Sequence, residues 1–98
     1  MTEVSRIWLP DVEKGLYVPV GRLVQRVRRT RDLNQAEAAE KIGIPASALS
    51  AIEANRRPVR TVPMSMRLAD GLSLPRLQLI EWVIREVEYV NPKLRHRN

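Results

Sequence analysis

The stretch from Leu33 to Asn55, LNQAEAAEKIGIPASALSAIEAN, constrains the chain most, because it carries a helix start, a helix stop and a second start in one short segment. Asn34 can cap the first helix and Glu37, three residues on, can reach back to the Asn34 N–H, which makes a capping box. Ala38, Ala39 and Ile42 then fall on one face, with Glu37, Glu40 and Lys41 toward water, and small side chains on that face favour close approach of a second helix. Gly43 is the residue type that turns left-handed at little steric cost, so it ends the helix sharply. Ile44 follows as a buried hinge, Pro45 suits the first turn of the next helix, and Leu49 and Ile52 supply its inward face. Ala46, Ser47, Ser50 and Ala51 are left facing outward. The segment predicts two short helices joined by a tight turn.

The pattern continues on both sides. Val20, Val24 and Val27 are spaced for an inward helical face, with Arg28 and Arg31 behind them; downstream, Ile52-Glu53 is followed by Asn55-Arg56-Arg57, and residues 66–72 read MRLADGL. Over about residues 20 to 75 these features resemble the Cro/CI-type, XRE-like helix-turn-helix family of phage repressors and small bacterial regulators. The resemblance implies an all-α, five-helix, lambda-repressor-like domain. On this reading residues 1–19 are an N-terminal arm, 20–75 the helix-turn-helix domain, 76–91 an extended C-terminal helix and 92–98 a basic tail.

Site residues follow from the resemblance, with phosphate contacts separated from base contacts because only the latter read sequence directly. Gln35, at the start of the first motif helix, matches the family's phosphate-binding glutamine, and the positive helix end would assist it. Asn55, Arg56, Arg57 and Arg60 follow the recognition helix and are expected to clamp the backbone across the groove. Arg28 and Glu53 match positions that form an internal ion pair in some members, and are read as structural. Arg22, Arg26 and Arg29 are mostly the polar face of the first helix. Where the family often places Arg, Gln or Lys against base edges, this chain has Ala46, Ser47, Ser50 and Ala51. Apolar contact with thymine methyls and short hydroxyl bonds are what these side chains offer, leaving much discrimination to DNA shape.

Composition agrees with a polyanionic partner. Seventeen Lys and Arg against eleven Asp and Glu give +6, and the pI is near 10.8. Only Lys14, Lys41 and Lys93 are lysine, so fourteen of the seventeen are arginine, the side chain that pairs bidentately with phosphate and guanine; a genome rich in G and C gives the same bias. With no cysteine there is no disulfide or thiolate metal site. His96, the single histidine, sits in the tail, Ser47 and Ser50 have no nearby base, and no carboxylate pair or metal cluster is evident. Neither catalysis nor a cofactor is expected. The start MTEVSRIWLP lacks the apolar run of a signal peptide and no stretch approaches the ~20 apolar residues of a membrane span, so a cytoplasmic, nucleoid-associated protein without membrane contact is expected.

The two ends are less determined. Ile7-Trp8-Leu9 and Leu16-Tyr17-Val18 are short apolar runs that permit either a short β-hairpin or an extended arm laying Trp8 and Tyr17 on the helical core or on a second subunit. Pro75 opens a helix running to about Val90. Leu77, Ile80, Ile84 and Val87 make one apolar face, widened by Leu79, Trp82, Val83 and Val90. One part must cover the core; the surplus, assigned to Trp82, Leu79, Val83 and Val90, is a dimerisation surface unless the arm covers it. The function expected is a sequence-specific double-stranded DNA-binding transcriptional regulator, a repressor acting as a homodimer on a two-fold symmetric operator. The alternatives are an antitoxin whose arm or last helix binds a toxin protein, and a phage or plasmid accessory DNA-binding protein.

Overall fold

The computed structural model describes residues 6–95. Its elements are helical: α1 (Pro10–Glu13), α2 (Val20–Thr30), α3 (Gln35–Ile42), α4 (Ala46–Glu53), α5 (Val62–Gly71) and α6 (Arg76–Val90), closed by a 3-10 turn at Pro92–Arg95. The five helices of the resemblance are α2 to α6. No strand occurs among the described residues, so the β-hairpin alternative for the arm is not realised there; the segment carries the short α1 instead, entered through Pro10 at its first position.

The aliphatic faces read from the sequence meet in one core: Val20, Val24 and Val27 of α2, Ala38, Ala39 and Ile42 of α3, Leu49 and Ile52 of α4, and Leu68, Ala69 and Leu72 from α5 and its end. One arginine ties separate pieces of this frame. Arg31 Nε and Nη2 donate to the carbonyls of Leu72 and Ser73 (2.9 and 2.7 Å), capping the C-terminal end of α5 from the end of α2. Thr61 caps the other end of α5 by accepting the Met64 N–H.

α6 turns the opposite way from the simplest reading of its pattern. Leu79, Trp82 and Val83 are buried in the chain's own core, whereas Leu77 is 75% exposed and Ile84 51% exposed. The reason is polar. Gln78 and Glu86 share the inward side and are buried because each has partners there. Gln78 exchanges two hydrogen bonds with the Ile7 backbone (3.0 and 2.7 Å), holding the arm like a strand partner. Glu86 Oε1 accepts the Val20 N–H at the start of α2 (2.8 Å). The dimerisation role expected of Leu79, Trp82 and Val83 is therefore corrected: they fill the monomer's interior, and of that set only Val90 is exposed.

The arm does cover α6, through Tyr17 as expected but not through Trp8. Val12 is buried, Ile7, Leu9 and Val18 pack against the core, and Trp8 is left 71% exposed. Arg26 pairs with Asp11, Arg6 with Glu81, and Arg85 donates to the Val12 carbonyl. Tyr17 stacks flat on Tyr89, ring centroids 3.8 Å apart. Burial first, then the Glu86 carboxylate and the neighbouring Tyr89, hold the Tyr17 phenol above its ordinary value, against an opposing pull from Arg60. A raised acid favours its neutral form in the folded state, so this contribution is fully present below the unfolded tyrosine value and is lost as pH rises through the folded one. An ultraviolet titration is expected to show a phenol ionising above free tyrosine, absent in Tyr17→Phe; no such component would contradict the stack.

Candidate nucleic-acid interface

The turn between α3 and α4 is made by backbone conformation more than by side chains. Gly43 sits at φ 87°, the left-handed region, and both its N–H and that of Ile44 return to the Ala39 carbonyl (2.8 and 3.0 Å). The Asn34–Glu37 capping box is complete, with Glu37 N–H on Asn34 Oδ1 at 2.8 Å and Asn34 N–H on Glu37 Oε1 at 2.9 Å. Ile44 is half-buried against the core, and Pro45 is the residue just before α4.

The entry to α4 has no side-chain cap. Ala46 and Ser47 there are exposed, and Ser50 and Ala51, a turn further, are half-buried. The four form a low surface of methyl and hydroxyl groups that lets another molecule approach the helix backbone closely. At the far end Asn55 takes φ 61°, and the N–H groups of Arg56 and Arg57 both bond the Ala51 carbonyl (2.9 and 3.2 Å). That anchored turn presents Asn55, Arg56 and Arg57 to solvent.

Beneath this surface lies a buried charged network. Arg28 Nε and Nη2 hold Glu53 Oε2 and Oε1 bidentately (2.6 and 3.0 Å), and Arg28 Nη1 donates to the Leu33 carbonyl (2.8 Å). Gln35 Nε2 joins the same Glu53 Oε1 at 3.0 Å. Three elements are thereby locked: the end of α2, the first residue of α3 and the last of α4. The Gln35 amide is not loose on the surface; one donor is spent on Glu53, which orients the rest of the group at the N-terminal end of α3.

Arg60 is corrected. It was expected with Arg56 and Arg57 on phosphate, but its Nη1 lies on Glu86 Oε2, and that carboxylate is only 9% exposed. A carboxylate that deep needs a cation and hydrogen bonds, and Arg60 and the Val20 N–H supply them. Glu86 was missed from sequence because a glutamate in a helix reads as solvent-facing. Among the described residues no group of acidic or histidine side chains could hold a metal ion, and no helix is long and apolar enough to cross a membrane. His96 lies outside the described residues.

A family model described as a helix-turn-helix domain matches residues 19–82. The chain belongs to the Cro/CI-type, XRE-like helix-turn-helix family. As a member of that family it is a DNA-binding transcription regulator and not an enzyme. Among solved structures, the chain is similar to SinR, the master regulator for biofilm formation, in its complex with DNA: 24% identity over 62% of this chain and 97% of that one, with a TM-score of 0.57. It is also similar to the wild-type restriction-modification controller protein C.Esp1396I, at 24% identity over 69% of this chain and 86% of the controller, TM-score 0.57. A point variant of that controller aligns over 80% of this chain and 90% of its own at 23% identity and TM-score 0.58. These likenesses establish the shared fold. Curated protein sequences give no match.

Proposed function

We propose that this helix-turn-helix regulator is a repressor that acts in the cytoplasm, binding a two-fold symmetric operator as a homodimer with the α4 helices in successive major grooves about 34 Å apart. The observation that carries this reading is the low, uncapped face of Ala46 and Ser47 held over the Arg28–Glu53–Gln35 network, with Arg56 and Arg57 at the other end of the same helix. A rigid platform of this kind keeps the reading helix in one orientation, which sequence discrimination requires. Repression is the simplest outcome, since an occupied site blocks polymerase. SinR, solved on DNA, shares the fold, which supports the docking.

Roles on the platform divide by chemistry. Gln35, Asn55, Arg56 and Arg57 contact phosphate, and Ala46, Ser47, Ser50 and Ala51 face the bases. Arg57→Ala is expected to weaken binding to every duplex and to lower the slope of log affinity against log salt by about 0.9. Gln35→Ala removes no charge, so affinity falls with the slope unchanged. Ser47→Ala and Ser50→Ala should instead reorder which duplexes are preferred; an unaltered ranking would remove direct readout from the account. The reading as a whole is tested by selecting duplexes from randomised DNA and measuring the winner against nonspecific DNA in ~0.15 M salt. Enrichment of a two-fold site supports it. Salt-dependent binding with no enrichment points to an architectural protein or a toxin partner.

A further inference from the structure

Three arginines, Arg56, Arg57 and Arg60, follow α4 closely, and only the last is restrained. Neither Arg56 nor Arg57 forms an ion pair among the described residues. Arg60 Nη1 is held between the Val59 carbonyl (3.1 Å) and Glu86 Oε2. The restraint is built from several sides. Glu86 takes the Val20 N–H on its other oxygen (2.8 Å) and lies against the Tyr17 phenol, while Val59, the residue before Arg60, is fixed in the core. The Arg60 side chain is nevertheless 38% exposed, so a polyanion at the surface could take it once it let go of the carboxylate. Tyr17 and Glu86 both lie outside residues 19–82, the segment that matches the helix-turn-helix model. The segments flanking the common domain are therefore the ones that occupy this arginine.

We infer that Glu86 is a positioning residue for DNA binding: it keeps Arg60 off the phosphates, so the segment behind α4 engages DNA with two arginines although it carries three. The inference rests on the assignment of Arg56 and Arg57 to phosphate above and adds a brake on that contact. The energetics favour the internal partner. A phosphate that drew Arg60 away would leave a carboxylate only 9% exposed without its cation, and that loss outweighs one phosphate contact made at a solvated surface. Phosphate contacts carry no sequence information, so the brake lowers affinity for all duplexes alike and leaves their ranking to α4.

Glu86→Gln tests this, because its amide oxygen can still accept the Val20 N–H while the charge that holds Arg60 is gone. Binding of the full chain to a nonspecific duplex is followed by fluorescence anisotropy between ~0.05 and ~0.2 M salt. The variant is expected to steepen the slope of log affinity against log salt by about 0.9, one further phosphate contact, and to bind about five-fold more tightly at ~0.15 M salt. Helical circular dichroism and the ranking of duplexes should not change. Glu88→Gln removes the same charge from α6 without freeing an arginine, since Glu88 has no ion pair among the described residues, and should leave the slope at the parent's. Arg60→Gln, which keeps a donor for Glu86 and does not depend on how Glu86→Gln folds, should also leave it there, whereas Arg57→Ala lowers it. A Glu86→Gln slope no steeper than the parent's, an equal steepening in Glu88→Gln, or a lower slope in Arg60→Gln overturns the inference. Failure of the phosphate reading looks different: the parent itself would bind without salt dependence, and both would fall together.

Discussion

Glu53→Ala is expected to remove about 3–5 kcal/mol of folding stability, since it leaves the Arg28 guanidinium buried with no counter-charge. The side chains of the pair are 10% and 2% exposed, so solvent cannot replace the lost partner. For a domain of this size that loss lowers the Tm by roughly 20 °C and is a large part of a total of about 10 kcal/mol. The reciprocal Arg28→Ala leaves Glu53 with only Gln35 and should cost a similar amount. Replacing both, Arg28→Met with Glu53→Leu, removes the buried charges together and should recover most of the stability. The double variant is the informative one for DNA. Folded but without the acceptor that orients Gln35, it should still bind nucleic acid more weakly than the parent. A Glu53→Ala protein melting within a few degrees of the parent would show that the network does not hold the domain together.

Gly21→Ala has the second large effect, and its sign separates local propensity from packing. Within α2 an alanine is the better helix former by about 1 kcal/mol, so propensity alone predicts a gain. In the folded chain a Cβ at this position would stand 2.0 Å from the Ile52 carbonyl oxygen and 2.7 Å from Asn55 Oδ1. Two of the three nearest obstacles are backbone atoms of α4, which no rotamer change can move. Helices α2 and α4 would have to separate where Val24, Leu49 and Ile52 pack, at a cost of about 3 kcal/mol. Thermal melting decides between the two signs, and a stabilised variant would mean that α2 and α4 are further apart than described. Because Asn55 leads into the Arg56–Arg57 turn, the variant should also lose affinity for DNA beyond its loss of folded protein.

Much of the helix-turn-helix unit is written locally. The Asn34–Glu37 box, the left-handed Gly43 and the alternation of Ala38, Ala39 and Ile42 with charged neighbours depend on interactions within one or two helical turns, so they can be read from the order of residues. The Arg28–Glu53 pairing came from the family resemblance, since nothing local links positions so far apart. Composition indicated the class of partner but not the residues that meet it. All three arginines nominated for phosphate are exposed, but only Arg60 is held in an ion pair, with the buried carboxylate of Glu86.

What the sequence by itself determined is therefore the pair of motif helices, their turn and the aliphatic faces that build the core. Only the tertiary structure decided which face of α6 points inward, why α2 needs a glycine, and that Arg31 and Arg60 join Arg28 in holding the fold. Each of those depends on what lies across a contact. Gln78 and Glu86 are buried because the Ile7 backbone, the Val20 N–H and Arg60 meet them there, and Gly21 is needed because a carbonyl of another helix occupies the place of its Cβ. Periodicity records how apolar a face is, whereas burial follows the partners that a polar group finds in three dimensions.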